Sequence, residues 1–215
     1  MEVEGCLTSY IDQGSVESHR LFLARRTLLE MLFDRGYAVS VTQMAMTLSE
    51  FRETYGENPD LDRLRIPASL LSNPSKKLLV IFCGPERVKI SNIRGFHNHL
   101  VQENLSRMIL VLQNKVTSKA REAIKEIFTF KVETFNITEL LVNITKHVLK
   151  PKHDILTEEE KKALLEKYNV EETQLPRMLH TDAIARYYGL EKGQVVKVTY
   201  DGELTGNHVT YRCVV

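Results

Sequence analysis

Six apolar residues in a row, Leu78-Leu79-Val80-Ile81-Phe82-Cys83, stop abruptly at Gly84-Pro85. A run this short cannot cross a hydrocarbon core, which takes about 20 residues of helix. It is also too uniform for a strand with one wet face, because such a strand alternates. It reads as a strand buried on both sides, and that requires a sheet with layers packed on it. Met108–Leu112 is a second apolar run, and Phe130–Phe135 alternates as a strand does. His97–Leu105 and Ser118–Phe128 read as helices between them, with Arg87–Ile90 returning beside the first strand as the arm of a hairpin. The order strand–helix–strand–helix–strand predicts a small mixed sheet flanked by helices, an α+β or mixed α/β domain.

Upstream, apolar residues recur at helical spacing over Glu17–Arg35, and Gly36 follows as a C-terminal cap. Thr42–Tyr55 reads as one short helix with Leu48 and Phe51 inward, and 56–75 as a loop rich in breakers (Gly56, Pro59, Pro67, Pro74). A boundary falls near Asn143–Lys152, dividing the chain into domains 1–142 and 143–215. Beyond it, Thr157-Glu158-Glu159-Glu160 is a capping box for a helix with Ala163, Leu164, Leu165 and Tyr168 on its apolar side. Thr181 or Asp182 caps a short helix that runs through Tyr188 and ends at Gly189. Val195–Tyr200 alternates as a strand and His208–Val215 pairs with it, giving a small helix-plus-sheet domain.

Charge excludes a large class of functions. Lys and Arg number 29 against 28 Asp and Glu, for a net charge of +1. Residues 1–142 hold 18 basic and 17 acidic side chains, and residues 143–215 hold 11 of each. A strongly basic surface is the usual footprint of a protein that grips nucleic acid by itself, and neither half has one. The acidic start Met1-Glu2-Val3-Glu4 is unlike a secretory signal, and the chain is expected to be intracellular. The sequons at Asn104, Asn136 and Asn143 carry no weight in that setting.

Most catalytic signatures fail on spacing. Cys6, Cys83 and Cys213 share no C-x-x-C pair, and Cys83 and Cys213 read as small buried hydrophobes. His97 and His99 diverge on a helix, and His147 and His153 lie among lysines, so neither pair reads as a metal site. No Gly-x-Ser-x-Gly elbow and no phosphate loop occurs. A Mg²⁺ nuclease site needs acids on adjacent strands; Leu78–Cys83 carries none, and Glu86 and Lys89 would point to opposite faces of a strand. Lys115, Lys119 and Arg121 surround Val116-Thr117-Ser118 at a helix start. Free N–H groups there can approach a phosphate, and the alternative is an ordinary solvated loop.

The C-terminal third carries a resemblance. His147-Val148-Leu149-Lys150-Pro151-Lys152-His153 is followed by Leu156-Thr157-Glu158-Glu159-Glu160-Lys161-Lys162, Gln174-Leu175-Pro176-Arg177, Ala185-Arg186-Tyr187-Tyr188-Gly189-Leu190, Gly193-Gln194-Val195-Val196-Lys197 and Val209-Thr210-Tyr211-Arg212. In this order the strings resemble the fifth subunit shared by eukaryotic nuclear RNA polymerases, whose C-terminal domain is the counterpart of a small archaeal polymerase subunit. Asp34-Arg35-Gly36-Tyr37, Val111-Leu112-Gln113-Asn114 and Val142-Asn143-Ile144-Thr145 resemble the same family's jaw domain. Asp182-Ala183 departs from the family's Asp-Pro, Lys150-Pro151-Lys152-His153 from its Val-Pro-Lys-His, and the Tyr200–His208 turn is rewritten. The Gly202-Glu203-Leu204-Thr205 turn and the Arg212-Cys213-Val214 ending resemble the branch found in plant RNA polymerase V.

The resemblance implies a non-catalytic subunit of a nuclear DNA-directed RNA polymerase, with no cofactor, no metal, no small-molecule substrate and no membrane. A nuclease-like jaw domain (1–142) is expected beside downstream DNA, which it meets only within the assembled enzyme. Asn114, Lys115, Thr117, Ser118, Lys119 and Arg121 are then the DNA-proximal residues. The domain 143–215 is expected to dock on the largest subunit beside other polymerase subunits. His147, Pro151, Lys152, His153, Arg177, Arg186, Tyr187, Tyr188 and Arg212 are the candidate contacts; packing of the small domain is the alternative for Tyr187 and Tyr188. Membership of the polymerase V branch implies scaffold transcripts for small-RNA-directed DNA methylation and gene silencing. The alternatives are a diverged common subunit of polymerases I, II and III, and a free regulator or nuclease-fold enzyme.

Overall fold

A computed structural model describes residues 14–100, 103–201, 206 and 208–215. Cys6 and most of the 202–207 turn lie outside the described residues. The chain divides into two compact units, up to Val142 and Asn143–Val215.

The first unit opens with helix α1 (Val16–Asp34). Ser15 caps it by accepting from the Ser18 N–H, and Gly36 ends it at φ +80°, where a side chain would be strained. The Tyr37 N–H reaches the Leu32 carbonyl and the Gly36 N–H the Phe33 carbonyl, which satisfies the helix's last acceptors. The single helix expected over Thr42–Tyr55 is two, α2 (Val41–Met44) and α3 (Leu48–Tyr55). Thr47 separates them because it makes a capping box with Glu50, which starts a helix afresh.

The breaker-rich loop expected over 56–75 contains a strand and the start of another: β1 (Ile66–Leu70) and β2 (Asn73–Phe82). Pro67 is tolerated because β1 is an edge strand. Helix α4 (Ile90–Leu100), strand β3 (Leu105–Leu112), helix α5 (Ser118–Ile127) and strand β4 (Lys131–Asn136) follow. The sheet order is β1-β2-β3-β4, with β1 antiparallel to β2 and the other pairs parallel.

The expected hairpin arm at Arg87–Ile90 does not form. Val88 makes a single parallel bridge to Val116, and Ile90 begins α4. A parallel partner for β2 must come through a crossover, and α4 supplies it. For the same reason the helix expected at His97–Leu105 begins earlier and ends at Leu100, and Leu105 opens β3.

The six-residue run is buried throughout, as a central strand requires. Leu79, Ile81 and Cys83 join Met108, Leu110 and Leu112 under Ile93, Ala120 and Ile124 of α4 and α5. Leu78, Val80 and Phe82, with Ile109 and Val111, are buried on the opposite face. There Arg35, at the end of α1, is joined to Glu133 of β4 and ties the helix to the sheet.

The second unit is a four-stranded sheet ordered β5-β7-β8-β6: β5 (Lys152–Ile155), β6 (Arg177–Met178), β7 (Val195–Tyr200) and β8 (His208–Val214). Helix α6 (Glu158–Tyr168) has the predicted capping box, with Thr157 and Glu160 exchanging bonds of 2.8 and 3.2 Å. Leu164 packs with Val195 and Cys213 on one face of the sheet. Ala163 and Tyr168 are exposed, and Lys161 turns inward instead, its ammonium 2.6 Å from Glu172. Helix α7 (Ala183–Tyr188) is capped by Asp182 and ended by Gly189 at φ +65°. Its Ala185 packs with Met178, Val196, Val198 and Val214 on the other face. No helix among the described residues is long and apolar enough to cross a membrane.

Candidate functional site

The candidate residues fall on both units, with Lys152 and His153 on one edge strand of the second sheet and Arg177 on the other. On the first unit, the segment after β3 is tied to the segment after β2. The Asn114 amide donates to the Pro85 carbonyl at 3.1 Å. Both the N–H and the hydroxyl of Thr117 donate to the Val88 carbonyl, at 3.1 and 3.3 Å. Thr117 also caps α5 by accepting from the Ala120 N–H. Its hydroxyl is therefore committed to the loop rather than offered to a ligand. Asn114, Lys115, Ser118, Lys119 and Arg121 are exposed, and the first turn of α5 holds no acid. The solvated loop is thus a rigid one. Arg87 and Lys89, both exposed, are carried to the same place by the Val88–Val116 bridge.

The sheet offers little for metal chemistry. Strands β2 and β3 carry no acid, and the acid on β4, Glu133, is held by two arginines. Arg35 grips it with both guanidinium nitrogens at 3.2 and 2.8 Å, and Arg107 approaches at 3.4 Å. Glu86 is exposed on the connection to α4, not on a strand. Among the described residues no three His, Cys, Asp or Glu side chains converge as a metal site needs. His97 packs edge-on against Phe128 at 5.8 Å. Cys83 is buried, and its thiol pKa is pushed up to about 12 by desolvation. Burial also raises the Cys213 thiol.

On the second unit, the chain enters through an exposed ledge. His147 accepts the Leu149 N–H on its Nδ1, and its carbonyl takes the Lys150 N–H. This tight turn throws Val148 and Leu149 outward, 96% and 84% exposed. Neither stands out in the sequence as a candidate, although both lie within the His147–His153 string. Apolar residues rarely announce exposure, and only the turn at His147 reveals it. Pro151 and His153 are half-buried, and Lys152 is exposed and 3.2 Å from Asp154. The His153 Nδ1 lies 2.7 Å from the Pro151 carbonyl. Burial lowers the His153 pKa, Lys150 and Arg212 push the same way, and the Pro151 carbonyl and Asp182 oppose them.

The aromatic pair on α7 divides in two. Tyr187 is 4% exposed, accepts from the Asn143 amide at 3.2 Å and meets the Tyr188 ring at 82°. That burial packs Tyr187 within the small unit, the alternative that stood beside its reading as a contact. Tyr188 is half-buried, with the Lys150 ammonium 5.7 Å from its ring centre. Arg177 is exposed on β6, and Arg186 and Arg212 are half-buried. Lys150 and Tyr188 thus join the His147–His153 ledge to α7 within one unit.

Similarity to known proteins says what kind of chain carries these surfaces. Family models described as "RNA polymerase Rpb5, C-terminal domain" and "RNA polymerase Rpb5, N-terminal domain" match residues 142–214 and 15–100. "DNA-directed RNA polymerase V subunit 5A" of Arabidopsis thaliana is 55% identical over 222 aligned residues, covering 100% of both chains. "DNA-directed RNA polymerases IV and V subunit 5B" of the same plant is 53% identical, over 95% of this chain and 94% of its own. "DNA-directed RNA polymerases I, II, and III subunit RPABC1" of Caenorhabditis elegans is 36% identical, over 93% and 98%. The chain belongs to the Rpb5 family of DNA-directed RNA polymerase subunits.

Proposed function

We propose that this chain is a non-catalytic subunit of a nuclear RNA polymerase of the plant polymerase V type. On this reading the unit 143–215 docks on the largest subunit, and the unit 1–142 forms a jaw beside downstream DNA. The observation that carries the docking is the Val148–Leu149 ledge, two adjacent apolar side chains 96% and 84% exposed. Apolar area left in water by one chain is area that a partner can bury, at about 25 cal/mol per Å². His147, Pro151, Lys152, His153, Tyr188, Arg177, Arg186 and Arg212 are the further contacts of this unit on the same reading, since an apolar contact usually carries a polar rim.

The Asn114–Arg121 segment meets the DNA backbone on this reading. A jaw held by a large neighbour acts at high effective concentration, so a few phosphate contacts suffice despite a net charge of +1. The lack of catalytic chemistry is supported by Glu133, whose carboxylate is spent on Arg35 and Arg107.

Assignment to the silencing polymerase rests on 55% identity to the plant polymerase V relative against 36% to the common subunit. The work of such an enzyme would be scaffold transcripts for small-RNA-directed DNA methylation. The test is affinity purification of the tagged chain from plant nuclei, with peptides assigned to each largest subunit. Recovery chiefly of the polymerase V largest subunit is expected. Recovery chiefly of the polymerase II largest subunit would make the chain a common subunit, and recovery of none would end the reading.

A further inference from the structure

The loop that carries Lys115 and Lys119 is half of a two-segment surface. Past the carboxyl ends of β2 and β3 the backbone segments 85–88 and 114–117 run side by side. They are joined by the Val88–Val116 bridge and by the bonds from Asn114 and Thr117 to Pro85 and Val88. Val88 is 3% exposed, and both valines pack in the core beneath α4 and α5. In extended backbone, neighbours of an inward residue face outward. Arg87 and Lys89 flank Val88 and are exposed, as Lys115 is beside Val116. Lys119 and Arg121 follow, exposed, at the start of α5.

We propose that Arg87 and Lys89 join Lys115, Lys119 and Arg121 in one surface that contacts the phosphate backbone of duplex DNA. The proposal rests on the reading of the Asn114–Arg121 segment as DNA-proximal and adds a second segment to it. Residues 85–89 and 114–122 hold five cations and two acids, Glu86 and Glu122. That local excess of three positive charges compares with +1 for the whole chain. The excess is anchored on two core valines and three hydrogen bonds, so contact orders only the side-chain tips. Cations that meet phosphates set orientation and carry no base information. The surface therefore suits an enzyme that moves along any template.

The experiment uses assembled polymerase on a template with a downstream duplex. Arg87→Gln/Lys89→Gln and Lys115→Gln/Lys119→Gln are compared with wild type in salt titrations of template release. Removing one phosphate contact should flatten the slope of log K against log salt by about 0.9. Both pairs are expected to flatten it, and Arg87→Lys/Lys89→Arg is expected to keep the wild-type slope. Removing the downstream duplex from the template should abolish the difference between variants and wild type. A wild-type slope for Arg87→Gln/Lys89→Gln alone overturns this inference and leaves the loop reading standing. Wild-type slopes for both pairs overturn both. A difference that persists without the downstream duplex places the contact on another nucleic acid and refutes the proposal.

Discussion

Removal of the Glu133 carboxylate should destabilise the first unit through the charges it leaves behind. Arg35 is 4% exposed and Glu133 10%, with bonds of 3.2 and 2.8 Å, and Arg107, 27% exposed, sits 3.4 Å away on the other side. In Glu133→Ala two guanidiniums are left without the anion between them. Breaking a buried pair costs about 3–5 kcal/mol, because the surviving charge stays desolvated. Arg107 can turn toward water, which places the expected loss near the lower end, about 3 kcal/mol. Domains of this size are stable by about 5–15 kcal/mol, so the change should be plain in a urea titration. Far-UV circular dichroism of the full chain is the assay, since the sequence holds no Trp. Arg35→Ala and the double variant complete a cycle that isolates the pair from the other contacts Arg35 makes. A coupling below about 1 kcal/mol would refute the argument that this ion pair locks α1 onto the sheet.

Further outcomes follow from other residues. Val148→Ser/Leu149→Ser should leave folding intact and abolish co-purification with the largest subunit, since apolar side chains lose about 1.5–3 kcal/mol each when their burial is forfeited; undiminished recovery would remove the ledge from the interface. Cys83, with its thiol pKa pushed up to about 12, should resist iodoacetamide at mildly alkaline pH in the native chain and react once it is unfolded, as peptide mapping will show. His153 titrates below its ordinary value of about 6.5, so the unfolded chain binds its proton first as pH falls. Stability of the second unit should therefore be full above about pH 6.5 and decline below it, and His153→Gln should flatten that decline in melting curves of the full chain.

Much of the fold was legible because its signals are local. The α6 capping box needs only Thr157 and Glu160, three residues apart, and it forms as expected. Gly36 and Gly189 end their helices because φ is positive there. The misread segments share another cause. Pro67 and Pro74 look like loop, yet an edge position and a strand start accept them, and sheet order is invisible in a string of residues. Arg87–Ile90 looks like a hairpin arm until β3, reached through a crossover, occupies the place beside β2. The candidate surfaces divide the same way. Lys115 and Lys119 are visible beside a helix start, whereas Arg87 and Lys89 gain meaning only when Val116, 28 positions downstream of Val88, is brought against it.

Short-range chemistry thus marked from the residues alone the helix ends at Gly36 and Gly189, the capping box at Thr157 and the buried strand over Leu78–Cys83. Long-range contact settled the rest. Arg35 meets Glu133 across 98 positions of chain, Tyr187 turns inward while Val148 and Leu149 turn outward, and two loops become one cationic face. The physical reason is that burial and charge pairing belong to the space around a side chain, and that space is filled by residues remote in the chain, placed there only by folding.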